Sequence, residues 1–309
     1  MNLHGYLADQ YVLYDFKHRS RKDYLSEFDW YRSRRINGDY SFVLNNKLVC
    51  ADMLKQYTNV PRTLASKHGK SIILADGQIA SRENLLRLFR REGKVIMKPV
   101  GYGKGKGVHL ICYQDGWYFL DNQSISEGKL VAFLGESKEW FLSEFVHQAK
   151  YLDQLYAETA NTIRLITLRD TNTNRFKVFF AVQRIGTAKT IPVDNGSRGG
   201  LVAKIDLATG QLSEARSLHD LAVHKTHPDS GNPIQGVKIP RWQEMQREVL
   251  ALSDQFPYLS FIAWDILATD EGFSVIEANT SSGVNIIQLW GGQKRGELGA
   301  FYRAHGIIR

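Results

Sequence analysis

The chain has 309 residues, 43% of them hydrophobic and 23% charged, with a formal net charge of +8. That length allows two domains, or one large α/β domain with an elaboration. No stretch approaches the roughly 18 uninterrupted apolar residues that cross a bilayer, and the opening MNLHGYLADQYVLYDFKHRS has no apolar run of signal-peptide type. Two cysteines, Cys50 and Cys112, indicate neither a disulfide framework nor a thiolate zinc site, so a reducing cytoplasm is the expected location.

The basic residues gather early, in KHRSRK (17–22), RSRR (32–35) and RLFRREGK (87–94). Such a surface suits an anionic small molecule or polymer. Nucleic acid is disfavoured because no RNA-binding signature accompanies the charge. Residues 1–40 read as helical and amphipathic, with Tyr11, Leu13, Tyr14, Tyr24, Leu25, Phe28 and Trp30 spaced to fill a stripe. Residues 45–57 read as another helix, 59–65 as an extended exit and 71–75 as a short strand. Ser81 is placed to N-cap a helix over 82–91, although Asn84 stands where a capping box has Glu or Gln. Residues 1–90 are expected to form a mainly helical cap or support region without a catalytic constellation.

VIMKPVGYGKGKGVHLICY follows at 95–113, as a strand (95–99), a loop with four glycines and two lysines (101–107) and a second strand (108–112). The loop lacks the G-K-[ST] of a P-loop, fails G-x-G-x-x-G at every start, and precedes a strand instead of a helix. It reads as a glycine hairpin of the kind that lays backbone N–H groups over phosphates, because a backbone without side chains can approach oxygen closely and take positive φ. Lys98, on the preceding strand, supplies a fixed positive charge. The alternative is a surface hairpin made soluble by lysine.

Residues 114–122 continue the sheet, 129–134 suggest a short helix, and WFLSEFV (140–146) reads as a buried strand ending at Glu144. Segments 161–168 and 176–184 pair around the turn 170–174. DNGSRGG (194–200) is a second glycine-rich stretch, with Arg198 as an anion contact, and 241–256 is an amphipathic helix. His219, His224 and His227 lack the spacing of a helical zinc pair and read as loop histidines.

The sequence FIAWDILATDEGFSVIEANTSSGV (261–284) then gives two short strands, 261–268 and 273–278, joined by Asp270-Glu271-Gly272. A three-residue loop with Gly last suits a type I turn closed by a left-handed residue. Centred on Glu271, the pairing sets Asp265 opposite Glu277 on one face, with Asn279 next in that row. Close carboxylates repel unless a cation lies between them, and two acids with an amide oxygen are ligands for a hard divalent ion such as Mg2+. A hairpin with two solvent-facing acids is the alternative.

The order of these motifs (Lys-Pro strand, glycine hairpin, apolar strand ending in an acid, strand with Arg, Asp…Glu-x-Asn) resembles the ATP-grasp superfamily. LSEFV, NTIRLITL, GSRGGLVAKIDLATG and WDIL…VIEANTSSG are most similar to its sugar-transfer-associated group, found with surface-polysaccharide genes. The resemblance covers roughly residues 45–305. It implies an α+β fold in which two α+β subdomains (91–145, the lid, and 146–309) hold the nucleotide between them, preceded by the helical N-terminal region.

The resemblance also implies site residues. Lys98 would contact ATP phosphates, with Gly103, Lys104, Gly105, Lys106 and Gly107 folding over them. Ser143, Glu144, Phe145 and Val146 would hold adenine. Asp265, Glu277 and Asn279 would bind one or two Mg2+ ions, with Mn2+ as a substitute. Arg164 and Arg198 would steady the transferred phosphoryl group or the acyl phosphate. The ribose-binding acid is left between Asp153 and Glu158, and the usual N-terminal α/β domain is not legible in residues 1–45. The implied reaction is ATP- and Mg-dependent joining of a carboxylate, such as an acidic sugar in surface-polysaccharide biosynthesis, to an amine through an acyl phosphate. A kinase on the same fold and a non-catalytic nucleotide-binding subunit are the alternatives.

Overall fold

The computed structural model describes residues 5–101 and 107–309. They divide into two compact units, Met1–Asn45 with Gln148–Arg309, and Asn46–His147. Among the described residues no helix is long and apolar enough to cross a membrane.

Residues 5–45 carry three short helices, α1 (Ala8–Leu13), α2 (Glu27–Ser33) and α3 (Ser41–Asn45), with 3-10 turns at Arg21–Asp23 and Gly38–Tyr40. The apolar stripe had suggested longer helix. Local polar capping wins instead: Ser26 accepts the Asp29 amide while Asp29 accepts the Ser26 amide, a reciprocal box that starts α2 afresh. Of the stripe, Leu13, Tyr14, Tyr24 and Leu25 are buried, whereas Phe28 is exposed.

The second unit opens with α4 (Lys47–Leu54), capped by Asn46 through the Val49 amide. The helix expected over 45–57 is thus α4, which starts after the Asn46 cap and ends at Leu54, three residues short of the expected end. Then come β1 (Thr63–His68), β2 (Ser71–Leu74), α5 (Arg82–Glu92), β3 (Lys94–Pro99), β4 (His109–Gln114), β5 (Trp117–Leu120), β6 (Gln123–Ile125), α6 (Glu127–Glu136) and β7 (Trp140–Glu144). Ser81 caps α5 as its sequence suggested, accepting the Asn84 amide. The strands form one antiparallel sheet in the order β2-β1-β7-β3-β4-β5-β6. Val95, Met97, Ile111, Trp140 and Leu142 pack with Leu85, Leu86 and Phe89 of α5 and Leu130 and Leu134 of α6. By strand alternation Lys94, Ile96 and Lys98 look to the opposite face.

The other unit resumes with α7 (Lys150–Tyr156), β8 (Ile163–Arg169), β9 (Phe176–Ile185), β10 (Leu201–Ile205), β11 (Leu212–Ser217), β12 (Val223–His224), α8 (Trp242–Asp254), β13 (Phe261–Ala268), β14 (Phe273–Asn279), α9 (Val284–Gln288) and α10 (Glu297–Ala304). Its sheet is antiparallel in the order β12-β11-β10-β9-β8-β13-β14. On one face α8 lies against β9, and Thr167 of β8 bonds both Ser253 of α8 and the Trp264 indole. On the other, Ile166, Leu168, Val182, Phe261 and Ala263 pack with Leu25, Val284, Ile287, Leu298 and Tyr302. The N-terminal segment is thus a cover for this sheet. Gln288 fixes it by accepting the Leu25 amide at 2.7 Å and donating to the Leu25 carbonyl at 3.1 Å.

Candidate functional site

The β13–β14 hairpin reaches its expected register by an unexpected route. Asp265 pairs with Glu277 and Ala263 with Asn279, but beyond a bulge Ile266 pairs with Val275 and Ala268 with Phe273. The turn is therefore tighter by one residue than the sequence suggested. Thr269 and Gly272 exchange both backbone hydrogen bonds around Asp270 and Glu271, and Gly272 is not among the glycines with positive φ. The residue saved at the turn is returned by the bulge, which leaves Asp265 and Glu277 side by side.

Asp265 is 3% exposed, while Glu277 and Asn279 are half-buried. Asn279 Nδ2 lies 3.4 Å from Glu277 Oε1. β8 brings Arg164 directly opposite Asp265, and the guanidinium grips the carboxylate as a fork, Nε–Oδ1 2.6 Å and Nη2–Oδ2 3.0 Å. Arg164 Nη1 also donates to Ser282 Oγ at 3.3 Å. Burial pushes the Asp265 carboxyl above the usual carboxylate range, a push to which Glu277 adds and which Arg164 and Arg184 oppose.

Arg184 was not foreseen. It lies on β9, two residues from Val182, the partner of Arg164, and therefore on the same face. Its Nη1 donates to Asp265 Oδ1 at 3.3 Å and its Nη2 pairs with Asp194 Oδ1 at 2.6 Å. Asp194 Oδ2 in turn accepts the amide and the hydroxyl of Thr162, both at 2.6 Å. The pairing of 161–168 with 176–184 held the signal, since it sets a second arginine on the Arg164 face. Arg198, the arginine singled out in the sequence, is exposed in the 3-10 turn Gly196–Arg198. That turn is closed by Gly200, where a Cβ would sit 2.8 Å from the Asp194 carbonyl oxygen.

Of the two acids left open for ribose, Asp153 is exposed and accepts Gln148 Nε2 at 2.9 Å, and Glu158 is exposed. His227, one of three expected loop histidines, is buried, stacked on Tyr156 at 4.5 Å and bonded to the Gly186 carbonyl.

In the other unit, Lys98 lies opposite Phe141, with its Nζ 6.0 Å from the ring centroid. Lys94, four residues earlier on the same face, lies 5.5 Å from the Phe145 ring. Between them Ile96 pairs with Ser143, whose Oγ is buried without a hydrogen-bond partner among the described residues. At the Lys94 and Phe145 end, away from Lys98 and Ser143, a cavity of about 320 Å3 is lined by Lys94, Cys112, Glu144, Phe145 and His147 among others. Glu144 turns its carboxylate to Arg62, accepting the Arg62 amide at 2.9 Å and Nε at 2.5 Å. Val146 follows Phe145 in the segment after β7 and is half-buried. Gly103, Lys104, Gly105 and Lys106 lie outside the described residues; Gly107 has φ +70°, and a Cβ there would meet Pro99 at 3.6 Å.

An apolar platform flanked by lysines, with an orphaned hydroxyl buried in it, fits a nucleotide. Two carboxylates and an amide in one row fit a hard cation by donor type. Among the described residues no group of three or more His, Cys, Asp or Glu side chains could hold a metal ion, so this set depends on the Asn279 amide.

Solved structures similar to the chain include the ATP-grasp ligase PsnB complexed with minimal precursor (16% identity, 88% of this chain and 64% of that one, TM-score 0.44). D-alanine–D-alanine ligase from Bacillus anthracis (12%, 86% and 63%, 0.40) and N5-carboxyaminoimidazole ribonucleotide synthetase from Thermotoga maritima (13%, 77% and 42%, 0.40) are also similar. The chain thus spans less than two thirds of the length of each. No curated protein matches it. Residues 29–298 match the family described as sugar-transfer associated ATP-grasp, and the chain belongs to that family.

Proposed function

We propose that the protein is an ATP- and Mg-dependent ligase that activates a carboxylate as an acyl phosphate and joins it to an amine. The family name favours an acidic sugar or a related acceptor in surface-polysaccharide assembly, and the excess of basic residues suits an anionic substrate. The observation that carries the reading is the packing of Asp265, Glu277 and Asn279 in one row against the fixed cations Arg164 and Arg184.

In this reading a carboxylate oxygen attacks the γ-phosphorus and ADP leaves with the bond's electrons. The amine then attacks the acyl carbon, expels inorganic phosphate and loses a proton to give the amide. Such a path needs positioning and charge neutralisation and no nucleophilic side chain. Lys98 would pair with ATP phosphates and the Ser143–Val146 stretch (143–146) would hold adenine. With Glu144 engaged by Arg62, adenine would be held through backbone groups and the Phe145 ring. The glycines and lysines of 103–107 would cover the phosphates, and Arg198, exposed at its turn, would meet the anionic substrate. Asp265, Glu277 and Asn279 would hold Mg2+, which when bound neutralises phosphate charge.

The test incubates the protein with Mg-ATP, a panel of uronic acids and amino acids, and hydroxylamine, with mass spectrometric detection. A hydroxamate formed with ADP and free phosphate is expected. A stable phosphorylated product without hydroxamate would replace the ligase by a kinase.

A further inference from the structure

We propose that Arg184, anchored by Asp194, makes divalent-cation binding at Asp265 and Glu277 conditional on a bound nucleotide, so that the cation enters with the phosphates and not alone. The inference rests on the nucleotide and metal reading above.

Four groups form a continuous ionic chain within one unit: Asp194, Arg184, Asp265 and Arg164. Their side chains are 5%, 16%, 4% and 13% exposed, which places the whole chain where water screens little. Asp265 Oδ1 already receives two donors and Oδ2 one, so its carboxylate keeps a single acceptor position for a metal. Two guanidiniums stand against three carboxylates, those of Asp194, Asp265 and Glu277. The cluster keeps one negative charge in excess, but both guanidiniums contact Asp265, so a divalent ion approaching that ligand meets two positive charges beside it and gains little from the acids alone.

Arg164 is held by Asp265 itself and can adjust with it. Arg184 is different, because its second partner is a buried acid, Asp194, whereas that of Arg164 is the neutral Ser282 hydroxyl. To swing away it would leave Asp194 buried with only the two Thr162 donors, and an uncompensated buried charge is costly. Its charge is thus fixed beside the acid pair. A nucleotide brings several negative charges at once, enough to offset that repulsion. Cation and nucleotide then favour each other's binding reciprocally.

The experiment measures protein-bound Mn2+ by equilibrium dialysis, with and without ADP, for the native chain, Arg184→Gln, Arg184→Lys and the double variant Arg184→Gln/Asp194→Asn. The double variant leaves no unmatched buried acid should the single one fail to fold. The native protein is expected to bind Mn2+ at least about tenfold more tightly with ADP, and removal of the Arg184 charge to tighten Mn2+ binding without ADP by a similar factor. Arg184→Lys, which keeps the charge, is expected to stay near native. Folded charge-removed variants that bind Mn2+ alone no more tightly than native would overturn the role of Arg184, and ADP-dependent Mn2+ binding in the same samples would leave the underlying reading intact. Absence of ADP-dependent Mn2+ binding by the native protein would overturn both.

Discussion

Asn37 hydrogen-bonds Phe261 from both ends of its amide: Oδ1 accepts the Phe261 N–H at 3.1 Å and Nδ2 donates to the Phe261 carbonyl at 2.7 Å. Oδ1 also accepts the Ser260 N–H at 2.8 Å. One side chain, 3% exposed, thus satisfies the backbone at the point where β13 begins. Asn37→Ala strands these groups away from water and is expected to cost about 1–3 kcal/mol. Urea unfolding followed by circular dichroism measures it, and an unchanged midpoint would show that water replaces the amide.

Glu277 is half-buried beside Asn279 and opposite Asp265, so Glu277→Gln keeps the shape of the row while removing a charge. Turnover of ATP to ADP is expected to fall at least about a hundredfold, as loss of a metal ligand should exceed the usual cost of disturbing its surroundings. The unfolding midpoint should shift little. Normal ADP release from this variant would refute the metal assignment.

Asp170 sets up a test far from that row. Its half-buried carboxylate accepts the Thr173 and Asn172 amides and pairs with Lys177, which lowers its pKa to about 2. A depressed folded-state pKa gives stability that is present above the ordinary value of 3.8 and is lost as pH falls toward 2. Asp170→Asn is expected to lower Tm at neutral pH and to flatten the decline of Tm between those two pH values. Parallel acid profiles for both proteins would rule the carboxylate out as the cause.

The hairpin was legible because β13 and β14 alternate and their acids fall at matching positions. Turn length was not, since a one-residue bulge at Ile276 compensates for a shorter loop and no local residue announces it. Strands β10 to β12 went unread: LVAKI is short though mostly buried, LSEARS carries no clean alternation, and their pairing is decided by β9 beside β10. Local caps end the N-terminal helices early, and what the sequence hid is where Tyr14, Tyr24 and Leu25 pack: on a distant sheet and its covering helices, as the Leu25–Gln288 separation of 263 residues shows. In DNGSRGG, the glycines drew the eye to Arg198, whereas Gly200 is required by the close approach of the Asp194 carbonyl. The buried acid Asp194 is the member of that stretch that reaches the acid row, through Arg184.

Arg164→Lys separates charge from geometry at that row. The native guanidinium supplies two parallel bonds to Asp265 and a third to Ser282 from one rigid plane. A lysine ammonium keeps the positive charge but is a point donor on a flexible stem, so it cannot hold both carboxylate oxygens at once. With Asp265 buried and its partner only partly replaced, a loss of about 1–3 kcal/mol in unfolding free energy is expected. A rotated Asp265 carboxylate would also misplace the acceptor it offers to a cation, so kcat should fall more than KM for ATP rises. Full activity with native stability would show that charge alone suffices opposite Asp265. A loss of stability with normal kcat would make the fork a structural brace.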